Sequence, residues 1–443
     1  MTAKQFDIIV AGAGLVGLSS AYHLQKSNPN KKILLIERLP RPAQANSGRS
    51  AAMFRNTFTS VDNLLLADTS IDFYLNLQQE QGIDLGIRLI GYLWLVSENQ
   101  TNQIQRHVRK MIEHKVDVKQ FTVQELKEIF PQLCTQFDKG DEEAQTLKLV
   151  NIGTALFGKK CGSLDPDLLA EFYMKGFLQS GGQASFNTNV TSLIIEPQEK
   201  LGLEGEPFVW QEAQIVGVHV SGELEGDIRA NTVVLATGAW TNELLDPRGI
   251  DGRIKVKKRQ LFKIDVGQNK GLSDLLFNRS FNSERVPPFV ILPKSGIYVK
   301  PVKEGRSFWI GCEDEINREF INVPDANLDT YNAEKKYYEF DVHPVLCKYL
   351  PQFKDVRPSS MWAGLYGINT LDYLPYVFME CGAIIVCGDS GSGVMKADAL
   401  GRVVDAMYKE GENATAYLYP NTPYEARKLS YKQRNVEREE WVI

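Results

Sequence analysis

Residues 6–37 carry the pattern that most constrains the fold of this chain. An apolar run at 8–10 predicts a strand buried on both faces. A helical pattern follows it, and a second apolar run at 33–36 predicts another buried strand. Two parallel strands joined by a crossover helix form a βαβ unit. The sequence therefore predicts that the chain opens with an α/β domain built on a parallel sheet.

Three glycines in the spacing G-x-G-x-x-G separate the first predicted strand from its helix. Gly12 permits the tight turn, Gly14 lets the backbone approach a pyrophosphate, and Gly17 lets the helix pack on the strand. The first turn of the helix, with Leu15 and Val16, offers unpaired N–H groups and the positive end of the helix dipole. This arrangement predicts a dinucleotide-binding turn.

An acid stands where the second strand of this unit ends. Glu37 lies about 20 residues beyond the glycines, the separation at which a carboxylate accepts hydrogen bonds from the adenosine ribose. A carboxylate there repels a 2′-phosphate, which argues against a phosphorylated ribose. Arg38 follows Glu37 directly, and we expect both residues at the adenosine half of the ligand. The residues alone leave NAD and FAD open.

The composition excludes several other classes of protein. A chain of 443 residues is long enough for two domains, and its net charge of −5 gives no basic footprint for nucleic acid. Six cysteines form no C-x-x-C pair and five histidines form no ligand motif, so no metal site is predicted. No apolar run spans a bilayer and no signal peptide precedes the first strand, which favours the cytoplasm. Peripheral membrane association stays open.

The rest of the chain alternates between two kinds of pattern, one typical of βαβ units and one typical of antiparallel strands. Thr122 with Glu125 matches a capping box, and Asp165 before a proline predicts another helix start. The segments 255–265 and 288–313 predict antiparallel strands that would cover the ligand. Residues 383–386 then predict a buried strand, followed by a glycine-rich helix start like the first one. We therefore expect the first and last segments to build one domain together.

These patterns predict an α/β chain of two interleaved domains. Residues 1–45, 150–245 and 357–420 would form a discontinuous Rossmann-like dinucleotide-binding domain. Residues 46–149 and 246–356 would form a mostly antiparallel β domain for the substrate. The polar residues 421–443 are predicted to be a surface tail.

Several stretches together resemble one superfamily of flavoenzymes. They are IIVAGAGLVGLSSAYHL with LLIE, NSGRSAAMFR, VVLATGAWT, SGIYVKP, WAGLYGINTLDYLP and GDSGSGVMKADALGRVV. The chain resembles the FAD-dependent amine oxidoreductases of the D-amino-acid oxidase, glycine oxidase and sarcosine oxidase superfamily over nearly its whole length. It is most similar to the branch of the archaeal dye-linked L-proline dehydrogenases.

The resemblance implies non-covalent FAD and a set of residues along it. The ADP half would lie on the glycine turn and Glu37, with Val190 and Gly238 beside it. The flavin and ribityl chain would lie against the first loop, and the closing helix would meet the carbonyl edge of the flavin. The residues implied are Ser47, Gly48, Arg49, Ser50, Ala51, Gly364, Gly391, Gly393, Val394, Met395 and Lys396.

The resemblance also implies residues for the substrate. Arg55 falls where the family keeps an arginine for the substrate carboxylate, and Tyr298 and Tyr366 match pocket tyrosines. Gly364 replaces the cysteine that tethers the flavin in some members. Trp309 stands where those members keep a lysine that supports reaction with oxygen, which favours a dehydrogenase with another acceptor, such as a quinone, a dye or a partner protein.

The sequence and the resemblance together therefore predict an FAD-dependent dehydrogenase. It would oxidise a small amino acid at its C–N bond by hydride transfer to flavin N5. A secondary amine such as L-proline or sarcosine is the first choice. An amine that arrives unprotonated needs no dedicated base, whereas an alcohol does. A 2-hydroxy-acid or glycerol-3-phosphate dehydrogenase, a flavin-binding electron-relay or assembly subunit, and an NAD enzyme stay as alternatives.

Overall fold

The computed structural model describes residues 4–278, 281–293, 295–313, 318–321 and 332–441. The strands in these ranges are β1 (Lys4–Ala11), β2 (Ile33–Ile36), β3 (Met53–Phe54), β4 (Tyr92–Ser97), β5 (Val118–Thr122), β6 (Ile152–Gly158), β7 (Gly162–Ser163), β8 (Gln183–Ser185), β9 (Thr188–Pro197), β10 (Ala213–Gly222), β11 (Gly226–Leu235), β12 (Lys255–Asp265), β13 (Phe289–Ile291), β14 (Ile297–Val302), β15 (Ser307–Cys312), β16 (Ser360–Ile368), β17 (Tyr376–Glu380), β18 (Ala383–Cys387), β19 (Thr415–Leu418) and β20 (Thr422–Glu425).

The α-helices of the same ranges are α1 (Leu15–Ser27), α2 (Asn46–Arg49), α3 (Val61–Gln79), α4 (Thr101–Glu113), α5 (Val123–Ile129), α6 (Glu142–Thr146), α7 (Pro166–Gln179), α8 (Thr241–Leu245), α9 (Lys270–Leu276), α10 (Lys335–Tyr337), α11 (His343–Tyr349) and α12 (Gly393–Glu410). None of these helices is both long enough and apolar enough to cross a lipid bilayer.

The first sheet is the predicted parallel sheet. Its strand order is β17-β18-β11-β1-β2-β8, with β10 and β9 continuing from β11 as an antiparallel extension. Strand β1 lies between β2 and β11, where Ile8 pairs with Ile33 on one side and Thr232 on the other. Both neighbours run parallel to β1, and the side chains of its centre are buried. The βαβ prediction is confirmed.

The late segment of the chain completes this same sheet. Strand β18 runs parallel to β11, with Val234 opposite Ile384. Helix α12 follows β18 and packs against α1, the helix of the opening βαβ unit. The prediction that the first and last segments build one domain is therefore confirmed.

The second sheet has the order β16-β12-β15-β14-β13-β4-β6-β5. All pairs in this order are antiparallel except β13 with β4, which run parallel. Apolar side chains on one face pack with α5, α9 and α11 into a core separate from that of the first sheet. The prediction of a second, mostly antiparallel β-sheet is confirmed.

The boundaries between the two sheets differ from the predicted ranges. Strand β6 follows residue 150 and β16 follows residue 357, yet both belong to the second sheet. Helix α3, predicted with the substrate domain, packs against α12. A strand pattern identifies a strand but not its partner, which explains the difference. Within the predicted range 246–356, residues 279–280, 294, 314–317 and 322–331 lie outside the described residues.

The prediction of a surface tail at 421–443 is wrong for the described part of that range. Strand β20 pairs with β19, and the side chain of Leu429 that follows it is fully buried. Arg434 forms a buried ion pair with Asp372 at 2.7 Å, and Glu439 is also buried. Polar composition misled the prediction because each of these charged groups meets a partner inside the protein.

Candidate functional site

A large cavity lies at the carboxyl edge of the first sheet. It is bounded by the glycine turn after β1, the end of β2, the loop containing α2, the end of β11 and the start of α12. The first and last parts of the chain therefore meet around one elongated space.

The glycine turn has the close approaches that the spacing predicts. Gly12 has a φ of 99°, and a Cβ there would lie 2.5 Å from the carbonyl oxygen of Ala236. A Cβ on Gly17 would overlap the carbonyl of Gly12. A Cβ on Gly14 would lie 3.4 Å from Ser47 Oγ, an ordinary contact distance. Two of the three glycines are thus required by the fold itself, while Gly14 faces the cavity.

The carboxylate of Glu37 is fixed at the end of β2. Its Oε2 accepts a hydrogen bond of 2.7 Å from the amide of Ala13, and its Oε1 accepts one of 3.0 Å from Leu39. These bonds hold the side chain along the rim of the cavity, where it can still accept from ribose hydroxyls.

Two polar atoms beside Glu37 are buried and have no hydrogen-bond partner among the described residues. They are Nη2 of Arg38 and Nε1 of Trp240, and the Arg38 guanidinium lies 4.0 Å from the centre of the Trp240 ring. Both residues line the cavity. Unpaired buried donors are rare in folded proteins, so a ligand with acceptor atoms fits this end of the cavity.

The loop around α2 joins the cavity wall to the second sheet. Ser47 Oγ accepts a hydrogen bond of 3.2 Å from the amide of Leu15, and Asn46 Oδ1 accepts one of 2.8 Å from Leu365. The carbonyl of Arg49 accepts a bond of 2.8 Å from Trp362 Nε1. The loop is therefore pinned between α1 and β16.

A second cavity adjoins the first. Tyr366 and Gly391 line both spaces, so the two cavities meet at this point. The remaining lining residues come from both sheets and from the end of the described chain. They are Arg55, Phe58, Asn63, Arg259, Tyr298, Cys312, Glu313, Tyr373, Ser390, Ser392, Met395, Lys396 and Glu439.

Lys396 places a buried ammonium group in the second cavity. The residue is 1% exposed, and its Nζ donates to Asn63 Oδ1 at 2.5 Å and to Ser392 Oγ at 2.7 Å. No carboxylate of the described residues lies within 4.0 Å of it. Burial, with a smaller effect from Arg55, lowers the pKa of Lys396 to about 7. The site therefore contains a cation that lacks an adjacent counter-ion in the described chain.

Arg55 also lies at this cavity, but its guanidinium is already engaged. Nη2 donates to the carbonyl of Trp441 at 2.9 Å, and Nη1 donates to the carbonyl of Thr57. The group lies 4.0 Å from the centre of the Phe58 ring. Among the carboxylates, Glu439 has the strongest electrostatic interaction with it. Arg55 thus contributes charge to the cavity while the backbone fixes its orientation.

The opposite wall of the second cavity comes from the second sheet. Arg259 Nη2 lies 3.9 Å from Glu313 Oε1, and its guanidinium lies 5.6 Å from the centre of the Tyr366 ring. Burial raises the pKa of Tyr298 well above its usual value and also raises that of Tyr366. Both hydroxyls therefore stay protonated at neutral pH and can donate hydrogen bonds.

Comparison with known proteins identifies the family. The sequence profile of a family described as FAD dependent oxidoreductase matches residues 7–407. The chain belongs to this family. It is therefore an FAD-dependent oxidoreductase, which decides between NAD and FAD as the cofactor.

Individual relatives are more distant but match most of the chain. FAD-dependent oxidoreductase domain-containing protein 1 of Xenopus laevis is 23% identical over 440 residues, covering 94% of this chain and 81% of the relative. Glycine oxidase of Pseudomonas aeruginosa is 25% identical over 384 residues, covering 84% and 85%. The crystal structure of L-proline dehydrogenase from P. horikoshii superposes with a TM-score of 0.71 at 22% identity, covering 92% and 94%.

Many of the residues predicted for FAD line the first cavity. They are Gly12, Gly14, Leu15, Val16, Gly17, Glu37, Arg38, Ser47, Ser50, Val190, Gly238, Gly391, Gly393 and Val394. Met395 and Lys396 line the second cavity instead, because they lie farther along α12. The three predicted substrate residues, Arg55, Tyr298 and Tyr366, come together in the second cavity.

Four residues predicted for FAD lie behind the cavity wall. A Cβ on Gly48 would lie 2.5 Å from the carbonyl of Ala43, so this glycine allows the loop to turn. Arg49 and Gly364 pack against one another across the contact between the loop and β16. The carbonyl of Ala51 accepts a hydrogen bond of 2.6 Å from Lys300 Nζ. These residues support the wall and do not line it.

Several residues of the two cavities escaped sequence reasoning. In the first cavity, Asn46, Trp240 and Asp389 adjoin predicted residues, and the TGAW and GDSG motifs could have pointed to the last two. In the second cavity, Arg259 and Glu439 had no signal, because each reaches the site from a segment that reads only as a strand or a polar tail. In the ranges that the structure describes, no cluster of acidic, histidine and cysteine side chains could hold a metal ion.

Proposed function

We propose that this FAD-dependent oxidoreductase is a dehydrogenase of a small amino acid, which it oxidises at the C–N bond, with a secondary amine such as L-proline as the first choice. The observation that carries the proposal is the buried ammonium of Lys396 in a cavity that adjoins the cofactor cavity. A buried lysine without an adjacent carboxylate among the described residues can bind an anionic ligand, because the anion offsets the cost of burying the ammonium form.

The charges of the cavity fit a substrate with one carboxylate. The positive charge of Arg55 interacts with the negative charge of Glu439, and Arg259 lies 3.9 Å from Glu313, so the charges of these four groups largely cancel. Lys396 then leaves one positive charge in the cavity. A carboxylate held there would place the rest of a small molecule among Phe58, Tyr298 and Tyr366.

The acid–base groups of the cavity favour an amine over an alcohol. An alcohol needs a base to remove its hydroxyl proton, whereas a neutral amine does not. No histidine is among the described residues that line the second cavity, and both tyrosines stay protonated. Lys396, whose pKa is about 7, is assigned in this proposal to the substrate carboxylate, which keeps it in the ammonium form. The bound FAD supplies the acceptor for the hydride from the substrate carbon. The protein orients the C–H bond and excludes water, and the substrate leaves as an imine.

The relatives support the same class of substrate. One is a glycine oxidase, and the structure with a TM-score of 0.71 is an L-proline dehydrogenase. The aromatic side chains around the cavity suit the apolar ring of a cyclic amino acid, which is why proline is preferred to glycine here.

A non-oxygen acceptor, such as a quinone, a dye or a partner protein, is the second part of the proposal. It is supported by the uncharged Trp309 at the position where related oxidases keep a lysine. Lys300 lies beside it, with Nζ 4.5 Å from the centre of the Trp309 ring, but it donates to Ala51 and lines neither cavity. We therefore expect slow reoxidation by O2.

Anaerobic titration of the holoenzyme tests both parts. L-Proline, sarcosine, glycine, lactate and glycerol 3-phosphate are added separately while the flavin absorbance is recorded. We expect bleaching by L-proline or another amino acid, and faster reoxidation by a quinone or dye than by air. Bleaching only by lactate or glycerol 3-phosphate would overturn the amine proposal. A flavin that none of them reduces would favour the relay or assembly role.

A further inference from the structure

The segment Arg434–Trp441 runs along the outside of the second cavity and places Glu439 in its wall, while residues 435–438 are exposed. It is anchored at its start by Arg434, whose Nη2 lies 2.7 Å from Asp372 Oδ1 and whose Nη1 donates to the carbonyl of Pro375 at 3.1 Å. Both side chains of the ion pair are buried. The entry of the segment into the site is therefore fixed by a charged contact inside the protein.

Glu439 is the point at which the segment meets the cavity. The residue is 3% exposed and lines the cavity wall. Its carboxylate accepts hydrogen bonds from the amides of Thr59 and Ser60 at 2.9 Å and 3.0 Å, and from Thr59 Oγ1 at 2.6 Å. Burial alone would raise the pKa of Glu439, but Arg55 and these donors hold it below its usual value. The side chain is thus a bound anion that ties the segment to the turn before α3.

Trp441 continues the contact on the far side of Arg55. Its carbonyl accepts a hydrogen bond of 2.9 Å from Arg55 Nη2. Its ring lies 5.6 Å from the Trp94 ring and 5.7 Å from the His107 ring, measured between centroids. The segment is therefore held at Arg434, at Glu439 and at Trp441. Of these three, Glu439 is the one that lines the cavity.

We propose that the segment Arg434–Trp441 is a wall of the substrate cavity and that Glu439 is a positioning residue which fixes Arg55 and limits the size of the substrate. This inference rests on the proposed function in that the second cavity holds the substrate. The carboxylate oxygens of Glu439 already accept hydrogen bonds from Thr59 and Ser60, so we do not expect Glu439 to bind the substrate directly. Its effect on Arg55 passes through Trp441, whose amide donates to Glu439 Oε1 at 2.9 Å and whose carbonyl accepts from Arg55. Its effect on substrate size passes through the closure of the cavity.

The first test measures closure without any substrate. Cys312 lines the same cavity, whereas Cys134 lies outside both cavities. Holoenzyme of the full chain, of a chain ending at Arg438 and of the control Glu437→Gln is treated with N-ethylmaleimide, and alkylation of each cysteine is followed by peptide mass spectrometry. Glu437 is exposed and two residues from Glu439, which makes the control a matched change.

We expect Cys312 to react about tenfold faster in the shortened chain, because thiol reactivity rises with exposure. Cys134 should react at the same rate in all three proteins. An unchanged rate at Cys312 in a shortened chain that keeps its flavin would overturn the inference.

Glu439→Gln gives a second test should the shortened chain not accumulate as holoenzyme. An amide group cannot accept from all the donors at Thr59 and Ser60, so the segment should loosen and Cys312 should react several-fold faster, about threefold or more. A rate equal to that of Glu437→Gln would overturn the inference.

The substrate itself gives a further readout. With an amino acid that reduces the wild-type flavin, Glu439→Gln should raise KM while the limiting rate of flavin reduction changes little. The shortened chain should accept bulkier amino acids than the wild type. Failure of every amino acid to reduce the wild-type flavin would reject the proposed function, while the alkylation rates would still decide whether the segment closes the cavity.

Discussion

The Nε2 atom of His23 lies 2.8 Å from Oδ1 of Asp398, and this contact joins the first long helix of the chain to the last one. Arg402 Nε lies 2.7 Å from the other carboxylate oxygen, and the amide of Asp398 donates to the Tyr74 hydroxyl at 3.2 Å. The carboxylate is buried between α1, α3 and α12. It therefore couples the two helices that border the FAD cavity.

Asp398→Asn should destabilise the protein by about 3 kcal/mol, because it leaves the Arg402 guanidinium without its buried carboxylate partner and also weakens the contact with His23. Burial would raise the pKa of Asp398, but His23 and Arg402 hold it below its usual value. The stabilisation is therefore present at neutral pH and lost in acid, as the pH falls through this lowered pKa. Urea unfolding of the holoenzyme at pH 7 measures the change. Glu410→Gln, at the exposed end of α12, should alter stability by less than about 0.5 kcal/mol.

Lys396→Met should weaken carboxylate binding by about 2 kcal/mol, or roughly 30-fold. The probe is tetrahydrofuran-2-carboxylate, which keeps the ring and carboxylate of proline but lacks its amine. Its binding is followed through the absorbance of the bound flavin. Lys409→Met removes an exposed lysine from the same helix and should leave the affinity unchanged.

The same probe gives the pH dependence that the site predicts. Only the protonated ammonium attracts the carboxylate, and the pKa of Lys396 is about 7 in the empty cavity. The affinity of the wild type should therefore be constant below this pH and fall as the pH rises above it, by up to about tenfold per unit. Lys396→Met should show no such fall. An identical profile in both proteins would assign the carboxylate to another group.

Glu37→Gln should weaken FAD binding. The carboxylate accepts from the amides of Ala13 and Leu39, and an amide nitrogen in place of one oxygen cannot accept. The same carboxylate would accept from the ribose hydroxyls of FAD, and hydrogen bonds to charged groups contribute about 1.5–3 kcal/mol, so the dissociation constant of FAD should rise roughly 10- to 150-fold. Fluorescence of released flavin measures it. The exposed substitution Glu80→Gln should bind FAD like the wild type.

Gly311→Ala should impair the substrate cavity and leave the cofactor cavity intact. A Cβ at this position of β15 would overlap the ring and hydroxyl of Tyr298, a half-buried side chain that would have to move. A displacement of about 1 Å at a reacting site can cost roughly 100-fold, so kcat/KM with the reducing amino acid should fall by up to that factor. Gly305→Ala lies on the same hairpin, where the nearest atoms are 3.4 Å away. Equal activity of the two variants would remove Tyr298 from the site.

Local signals in the sequence were read correctly where the backbone itself demands a residue type. The spacing of Gly12 and Gly17 follows from contacts that leave no room for a Cβ. The capping box at Thr122 and the N-cap at Asp165 are both present in the structure. In these cases the determining contacts lie within one turn or one βαβ unit, so a short stretch of sequence contains the whole physical cause.

The wall of the second cavity could not be read in this way. Glu439 binds Thr59, 380 residues away in sequence, and no local pattern distinguishes it from the exposed Glu437. Lys396 was predicted at the flavin because it follows the glycines of α12, but its position along the helix directs it to the neighbouring cavity. Roles that depend on which distant segment arrives at a site require the folded chain.

The order of the first sheet has a consequence for synthesis. Strand β1 cannot gain β11 until Leu235 has been made, and β11 cannot gain β18 until Cys387 has been made. At about 5–20 residues per second, the apolar strand that starts at Lys4 waits roughly 20–80 s on the ribosome for the complete sheet. The first cavity, which is lined by residues as far along the chain as Leu400, can therefore form only after the start of α12 has been made.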